Sequence, residues 1–314
     1  MKDFYHFPVM LNEAVNSLEC GRGGLFIDAT LGAGGYSNLI LEKLPPEGSL
    51  ISFDIDKIAI EAASERLKNY KNITIVKDSY TNIKKYLEKN NIPEITGGIV
   101  FDLGASTPQL TQAERGFSFL KEAALDMRFN QDSSYSAYDV INGMKEADLV
   151  RIFSEYGEER FSKRIAKKII EVRKIKKIET TKELADIVLE AAPRIKSKIH
   201  PATRVFQAVR IEVNNELNNI KNTLKDVIPL LADGAIITVI AFHSLEDRIV
   251  KNIFKEYAAP SGGIESGNSR LPMLKIITKK PLTADEEEIK KNPPSRSAKL
   301  RTAVRVNKNM SGEA

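Results

Sequence analysis

GLFIDATLGAGGYSNLILEKLPPEGSLISFDID, residues 24–56, reads as half of a nucleotide-type cofactor site. An apolar strand from Leu25 to Ile27 runs into Asp28, then into a loop carrying Gly32, Gly34 and Gly35. A helical pattern follows, and a second apolar strand, Leu50 to Phe53, closes on Asp54. Glycines in such a loop let backbone approach a ligand with no Cβ in the way. An acid ending the next strand is placed to accept hydrogen bonds from two ribose hydroxyls.

The glycine spacing narrows the ligand. A dinucleotide fingerprint needs G-x-G-x-x-G, and counting from Gly32 its third glycine falls on Ser37. A G-x-x-x-x-G-K-[ST] phosphate loop is also missing from the sequence, which argues against an ATPase. A glycine turn, a ribose acid and no phosphate machinery suit S-adenosylmethionine (SAM), which has no phosphates. A structural turn or another nucleotide is the alternative at this stage.

Outward from this unit the chain alternates strand and helix. Strands are expected at 24–29, 50–54, 73–77 and 98–103, with helices at 35–44, 57–69 and 80–90. That rhythm implies a parallel sheet with right-handed crossovers. It stops after Ser106, where helices are expected at 145–155, 158–173 and 181–192. It resumes with a long helix near 206–230, a strand at 234–242, and final strands near 274–280 and 302–306. The expected architecture is therefore α/β: a Rossmann-like domain from residues 1–105 and 206–314, interrupted by a helical domain at 106–205.

Composition is that of an ordinary soluble globular chain: 314 residues, 42% hydrophobic and 28% charged. The sequence has neither a signal-peptide pattern nor an apolar run of the ~20 residues that span a bilayer. A single cysteine, Cys20, suits a reducing cytosol, and three scattered histidines argue against a structural zinc site. The net charge of +5 is unevenly spread. Residues 163–177 hold eight Lys/Arg against one Glu, and 191–211 and 296–308 each hold five with no acid. Any one run reads as a solvated helix face; three together favour a nucleic-acid partner. Lys167, Lys168, Lys174, Arg204, Arg296 and Arg301 are the candidate contacts.

In an open parallel sheet, ligands bind beyond the carboxyl ends of the strands. Those ends are Asp28–Gly35, Asp54, Lys77–Tyr80, Asp102–Gln109 and His243–Arg248. The fourth strand ends FDLGASTPQL, where enzymes that methylate exocyclic amines often carry an acidic or polar residue followed by proline. The lone pair of a cytosine or adenine amino group is delocalised into the ring, so an acceptor on its N–H favours pyramidalisation and alignment with a sulfonium methyl. Asp102 and Ser106 are candidates for that work, with a loop cap as the plainer reading. His243 is a candidate general base with Glu246 or Asp247 as orienter. The alternative is a strand-to-helix turn with Ser244 as N-cap and Asp247 as its capping partner. His6 reads as a surface or binding residue. Cys20, ahead of the first strand, is a poor candidate nucleophile.

With these segments together, the chain resembles the bacterial 16S ribosomal RNA cytosine-N4 methyltransferase family over nearly its whole length. The resemblance rests on HFPVM (6–10), DATLGAGGYS (28–37), DLGASTPQL (102–110), ERGFSF (114–119), LDMRF (125–129), YGEERFSKRIA (156–166), HPATRVFQAVRIEVNNEL (200–217), FHSLEDRIVK (242–251) and RSAKLR (296–301). It implies a class I SAM-dependent fold with a helical insertion, acting on N4 of a cytidine near the decoding site. By position, the implied cofactor contacts are Gly34, Gly35, Tyr36, Asp54, Tyr80, Asp102 and Gln109. Tyr36 stands where the family usually has His, Thr107 replaces a second Ser, and Ala124 and Phe129 depart from Pro and Met. The implied partner is 16S ribosomal RNA or the small subunit, in the cytoplasm, with no membrane; a homodimer is left open. An amino-methyltransferase acting on DNA and a non-catalytic ribosome assembly factor are the competing functions.

Overall fold

The computed structural model describes residues 8–104, 113–192, 200–260 and 271–306. The chain divides into two units: Met1–Gly104 with Leu217–Ala314, and Ala105–Glu216. The first carries a seven-stranded sheet of β1 (Leu25–Asp28), β2 (Ser49–Asp54), β3 (Ile73–Lys77), β4 (Gly98–Asp102), β5 (Ile236–Ala241), β6 (Leu274–Ile276) and β7 (Lys299–Arg305), in the order β3-β2-β1-β4-β5-β7-β6. The first five strands pair in parallel, whereas β7 runs antiparallel to both β5 and β6. Strand order reverses direction between β1 and β4, the switch point at which open α/β sheets bind ligands.

The two-residue period of the strands builds two cores. Ile27, Ile51, Phe53, Ile99, Phe101, Ile237 and Val239 face one side, against Ile83 and Leu87 of α4 (Ile83–Lys89). Phe26, Leu50, Val100, Ile236 and Ile240 face the other. There they meet Val15 of α1 (Leu11–Ser17), Ile40 of α2 (Gly35–Lys43) and Leu67 of α3 (Lys57–Leu67). Burial on both faces explains the near-continuous apolar runs in β4 and β5.

The second unit is helical. Its core joins α5 (Ala137–Gly143), α6 (Glu146–Glu155), α7 (Ser162–Ile175), α8 (Thr181–Ala191) and α9 (Ala202–Asn214) through Ile141, Phe153, Ile169, Val188 and Phe206. Thr180 and Glu183 form a capping box at the start of α8.

Three expectations need correction. The long helix at 206–230 is two helices, α9 and α10 (Glu216–Val227), because Asn215 adopts a left-handed φ of 50°. Its amide returns to the Glu212 and Ile211 carbonyls and closes α9. The boundary drawn at 206 therefore falls inside a helix of the helical unit; the return to the sheet unit comes after Glu216. Strand β6 stops at Ile276 rather than 280, and β7 begins at Lys299 rather than 302. A periodicity argument extends straight through Asn215, since only its backbone angle marks the break.

Asparagine is among the few non-glycine residues that tolerate this angle. Asn215→Ala should lower unfolding stability by about 1–2 kcal/mol more than Asn215→Gly does. Equilibrium denaturation of the three proteins checks this, and equal loss from both substitutions would contradict it.

Candidate active site

Asp28 ends β1 with no solvent exposure. Its carboxylate accepts the Ser37 hydroxyl at 2.7 Å and the Thr30 amide at 3.2 Å, and Ser37 lies 2.9 Å from the Ser52 hydroxyl. One buried acid thus joins the end of β1, the start of α2 and the neighbouring strand β2. Burial pushes its carboxyl up to about 6; Ser37 and Thr30 oppose the shift, and the nearby Asp54 charge adds to it.

The loop between β1 and α2 is held across the sheet. The Leu31 amide donates to the Phe53 carbonyl at 2.9 Å, and the Gly32 amide donates to Asp54 Oδ2 at 2.8 Å. Asp54 Oδ1 accepts the Asp56 amide at 2.8 Å. The three glycines serve different ends. Among the described residues, a Cβ on Gly32 would meet nothing closer than the Thr30 carbonyl at 3.9 Å, so they leave this turn open. At Gly34, with φ +78°, it would press on Ala63 and Leu67 at 3.2 Å. At Gly35 it would lie 2.1 Å from Pro8 Cγ, a hard clash. The room left by Gly34 and Gly35 is filled by protein rather than ligand, which corrects the reading of all three as ligand clearance.

Across the switch point, the Asp102 amide donates to Thr30 Oγ1 at 2.7 Å, which binds the end of β4 to the loop. Asp102 Oδ1 is shielded from solvent and accepts no hydrogen bond from the described residues. Burial drives the Asp102 carboxyl well above its ordinary value, reinforced by the Asp28 and Glu246 charges and opposed by the Tyr36 hydroxyl. Tyr36 is 3% exposed, and its hydroxyl donates to the Val9 carbonyl at 2.5 Å. Tyr80 is half-buried and sets its ring edge-on to Phe101, 6.0 Å between centroids. Asp28, Gly32, Asp54 and Asp102 are therefore joined through hydrogen bonds on both sides of the switch point. Ser106, Gln109 and His6 lie outside the described residues.

A carboxylate anchoring the glycine turn, an open approach at Gly32, and a shielded acceptor on Asp102 suit a ligand with ribose hydroxyls and a cationic centre. The residues present fit SAM on those grounds. Asp54 would hold the ribose and Tyr80 would flank the base.

His243 caps α11 (Ser244–Ala258). Its Nδ1 accepts the Glu246 amide at 3.4 Å, its Nε2 lies 3.2 Å from Glu246 Oε1, and Glu246 Oε2 accepts the Phe242 and His243 amides. The capping box is thus His243 with Glu246, one residue earlier than Ser244 with Asp247. Asp247 instead takes a two-point contact from Arg301, at 2.6 and 3.2 Å, with Lys299 at 3.4 Å. Arg301 is 6% exposed, so its expected role in nucleic-acid contact is overturned. Antiparallel β7 brings it into this ion pair, which a charge run cannot reveal.

Of the other basic candidates, Lys167, Lys174, Arg204 and Arg296 are exposed, and Lys168 pairs with Glu190 at 3.1 Å. Cys20 is buried, with its thiol pushed up to about 11 mainly by burial, as suits an inert thiol. Sequence reasoning missed Thr30 and Ser37 as loop anchors; their spacing from Asp28 was the available signal.

A raised native-state carboxyl means the unfolded chain releases its proton first, so stability falls as pH rises through that interval. For Asp28 the interval runs from about 4 to about 6. Asp28→Asn should flatten that fall by on the order of 3 kcal/mol. Denaturation series on both proteins at several pH values test this; parallel curves would remove Asp28 as the cause.

The MraW methylase family model matches residues 3–306. Ribosomal RNA small subunit methyltransferase H of Sulfurihydrogenibium sp. (strain YO3AOP1) is 50% identical over 304 residues, covering 96% of this chain and 99% of that protein. Among solved structures, a rRNA methylase from Streptococcus thermophilus matches with a TM-score of 0.43 at 9% identity, covering 97% of this chain and all of that one. SMU.1697c from Streptococcus mutans, solved in complex with SAH, matches with a TM-score of 0.42 at 14% identity, covering 96% of this chain and all of that one. With its family model spanning the sheet strands and the helical unit alike, the chain belongs to the MraW methylase family.

Proposed function

We propose that this chain transfers a methyl group from SAM to the exocyclic N4 of a cytidine in 16S ribosomal RNA, near the decoding site and in the cytoplasm. The observation that carries this reading is Asp102 Oδ1, a shielded acceptor without a described partner, beside the Asp54-anchored loop at the switch point. Among the described residues no helix is long and apolar enough to cross a membrane.

When bound, SAM supplies an electrophilic methyl on a sulfonium. Asp54 keeps lone pairs for ribose hydroxyls while its two oxygens hold the Gly32 and Asp56 amides. Asp102 offers an acceptor to the N–H of the incoming amine, which raises the availability of a lone pair otherwise delocalised into the ring. An ionised Asp102, or water, then takes the proton lost after transfer. His243 Nδ1 accepts the Glu246 amide, so this reading gives it the structural task of capping α11, while its buried Nε2 has no hydrogen-bond partner among the described residues.

For the RNA, α7 presents Lys163, Lys167 and Lys174, all exposed and within about 40° of one another around the helix. Such a stripe binds phosphates without reading sequence, while the target base leaves its stack to reach the methyl. Lys163 replaces Lys168 in this set because of the Lys168–Glu190 pair.

Labelled SAM with small subunits or 16S RNA should give N4-methylcytidine. Label on no cytidine in any assembly state, or preferential transfer to duplex DNA, would defeat the reading. Asp54→Ala should weaken SAM by about 1.5–3 kcal/mol in calorimetry, the range for hydrogen bonds to a charged group; unchanged affinity would contradict the role given to Asp54. Replacing Lys163, Lys167 and Lys174 with Ala should reduce the slope of log affinity against log salt by roughly 2–3. An unaltered slope would remove the stripe from the RNA surface.

A further inference from the structure

Two motifs that the cofactor site does not use, ERGFSF (114–119) and HPATRVF (200–206), meet in the helical unit. The Phe119 ring stacks on the His200 imidazole, with 4.6 Å between centroids and 28° between planes. Phe119 also meets Phe206 of α9 edge-on, at 5.1 Å and 71°. The rings run in series from the core outward: Phe206 is buried, Phe119 half-buried and His200 exposed.

His200 is held in place as well as stacked. Its Nδ1 accepts the Ala202 amide at 3.1 Å, and its carbonyl accepts the Thr203 amide at 3.0 Å, where α9 begins. Capping of this kind needs only a small acceptor such as Asn or Ser. An imidazole adds a planar ring, and its position at the end of the series leaves that ring in solvent. A ring fixed in orientation and backed by a second ring is a surface on which an unpaired nucleobase stacks.

The surroundings favour RNA as the occupant. Residues 191–211 hold five Lys/Arg and no acid. Arg204, one turn beyond His200, is exposed; its Nη1 donates to the Glu158 carbonyl at 3.2 Å and lies 4.0 Å from Glu159. Lys121, two residues past Phe119, is exposed as well. Leu120 between them is 85% exposed and adds apolar surface next to the stack. A cationic margin beside an aromatic face suits a single strand, whose phosphates and bases are bound together.

We propose that the Phe119–His200 stack is a binding platform for an unpaired base of the RNA, which lies on the solvent face of the imidazole. This deepens the RNA methyltransferase reading and rests on it for the choice of partner. The lysine stripe of α7 binds phosphates whether or not the bases are paired. The platform rewards a single strand, because paired bases inside a duplex offer no free face.

The test measures binding of a single-stranded RNA oligonucleotide, and of the matching duplex, by fluorescence anisotropy over a range of salt. It compares the full-length parent chain with His200→Ala, His200→Asn and His200→Phe. Asn keeps an acceptor and loses the ring, whereas Phe keeps a ring and loses the acceptor. The Ala and Asn variants should bind the single strand about tenfold more weakly, and the Phe variant within about twofold of the parent. The slope of log affinity against log salt should stay the same throughout, since no Lys or Arg is removed. Duplex binding should not change. Parent-like affinity in the Ala and Asn variants overturns the proposal. So does the reverse order, with Asn retaining affinity and Phe losing it, which would make His200 a cap alone. Should the Ala variant fail to fold, the Asn and Phe variants decide between stacking and capping by themselves. A parent that binds no single-stranded RNA also defeats the platform. Methyl transfer to 16S RNA is assayed alongside. A parent that methylates while the Asn variant binds as it does sinks the platform alone. A parent that methylates no cytidine in any assembly state sinks the methyltransferase reading, and with it the substrate assigned to the platform.

Discussion

Everything at the switch point depends on a carboxylate buried where β1 ends. Asp28 has no access to water, and a charge in that position is costly unless hydrogen bonds surround it. Ser37, with Ser52 behind it, and the Thr30 amide supply them. Satisfying Asp28 is thus inseparable from folding the loop back onto the sheet and starting α2 at Gly35. Thr30 then reaches to the Asp102 amide, so the same turn positions the acid on β4.

Electrostatics follow from this packing. Asp28, Asp54 and Asp102 converge on one short rim, and burial raises the carboxyl of each. Three acids held near one another disfavour a full set of negative charges in the free protein, and a cationic ligand relieves that repulsion. A sulfonium at that rim would gain from it, whereas a neutral thioether of the same shape would not. Strained titration at the rim is what a site built for a charged donor would show.

In the proposed function the helical unit would contribute by another route. Its core is closed by apolar stripes on α5 to α9, which leaves the opposite face of α7 to lysines. Affinity from such a face is electrostatic and salt-dependent, and carries little sequence information. Discrimination among cytidines would then come from RNA shape and from the groups that receive the unstacked base.

How much of this was legible depended on the range of the interaction. Alternating strands and helices, the glycine turn and Asp54 after β2 are local patterns, and they could be read because period and turn chemistry are written in neighbouring residues. The break at Asn215 was hidden, since helical periodicity continues on both sides of one left-handed residue. The capping box was placed one residue late because serine is the usual cap, whereas here an imidazole nitrogen accepts the Glu246 amide. Arg301 looked like basic surface until β7 turned antiparallel and set it against Asp247. Pro8 over Gly35 and Tyr36 against Val9 could not be seen at all. Sequence alone determined which elements form and which chemical groups end each strand, because those choices are made by side chains within a few residues of one another. Only the tertiary structure decided which groups remain available to a ligand, because that depends on whether a partner distant along the chain has already taken the hydrogen bond or the charge.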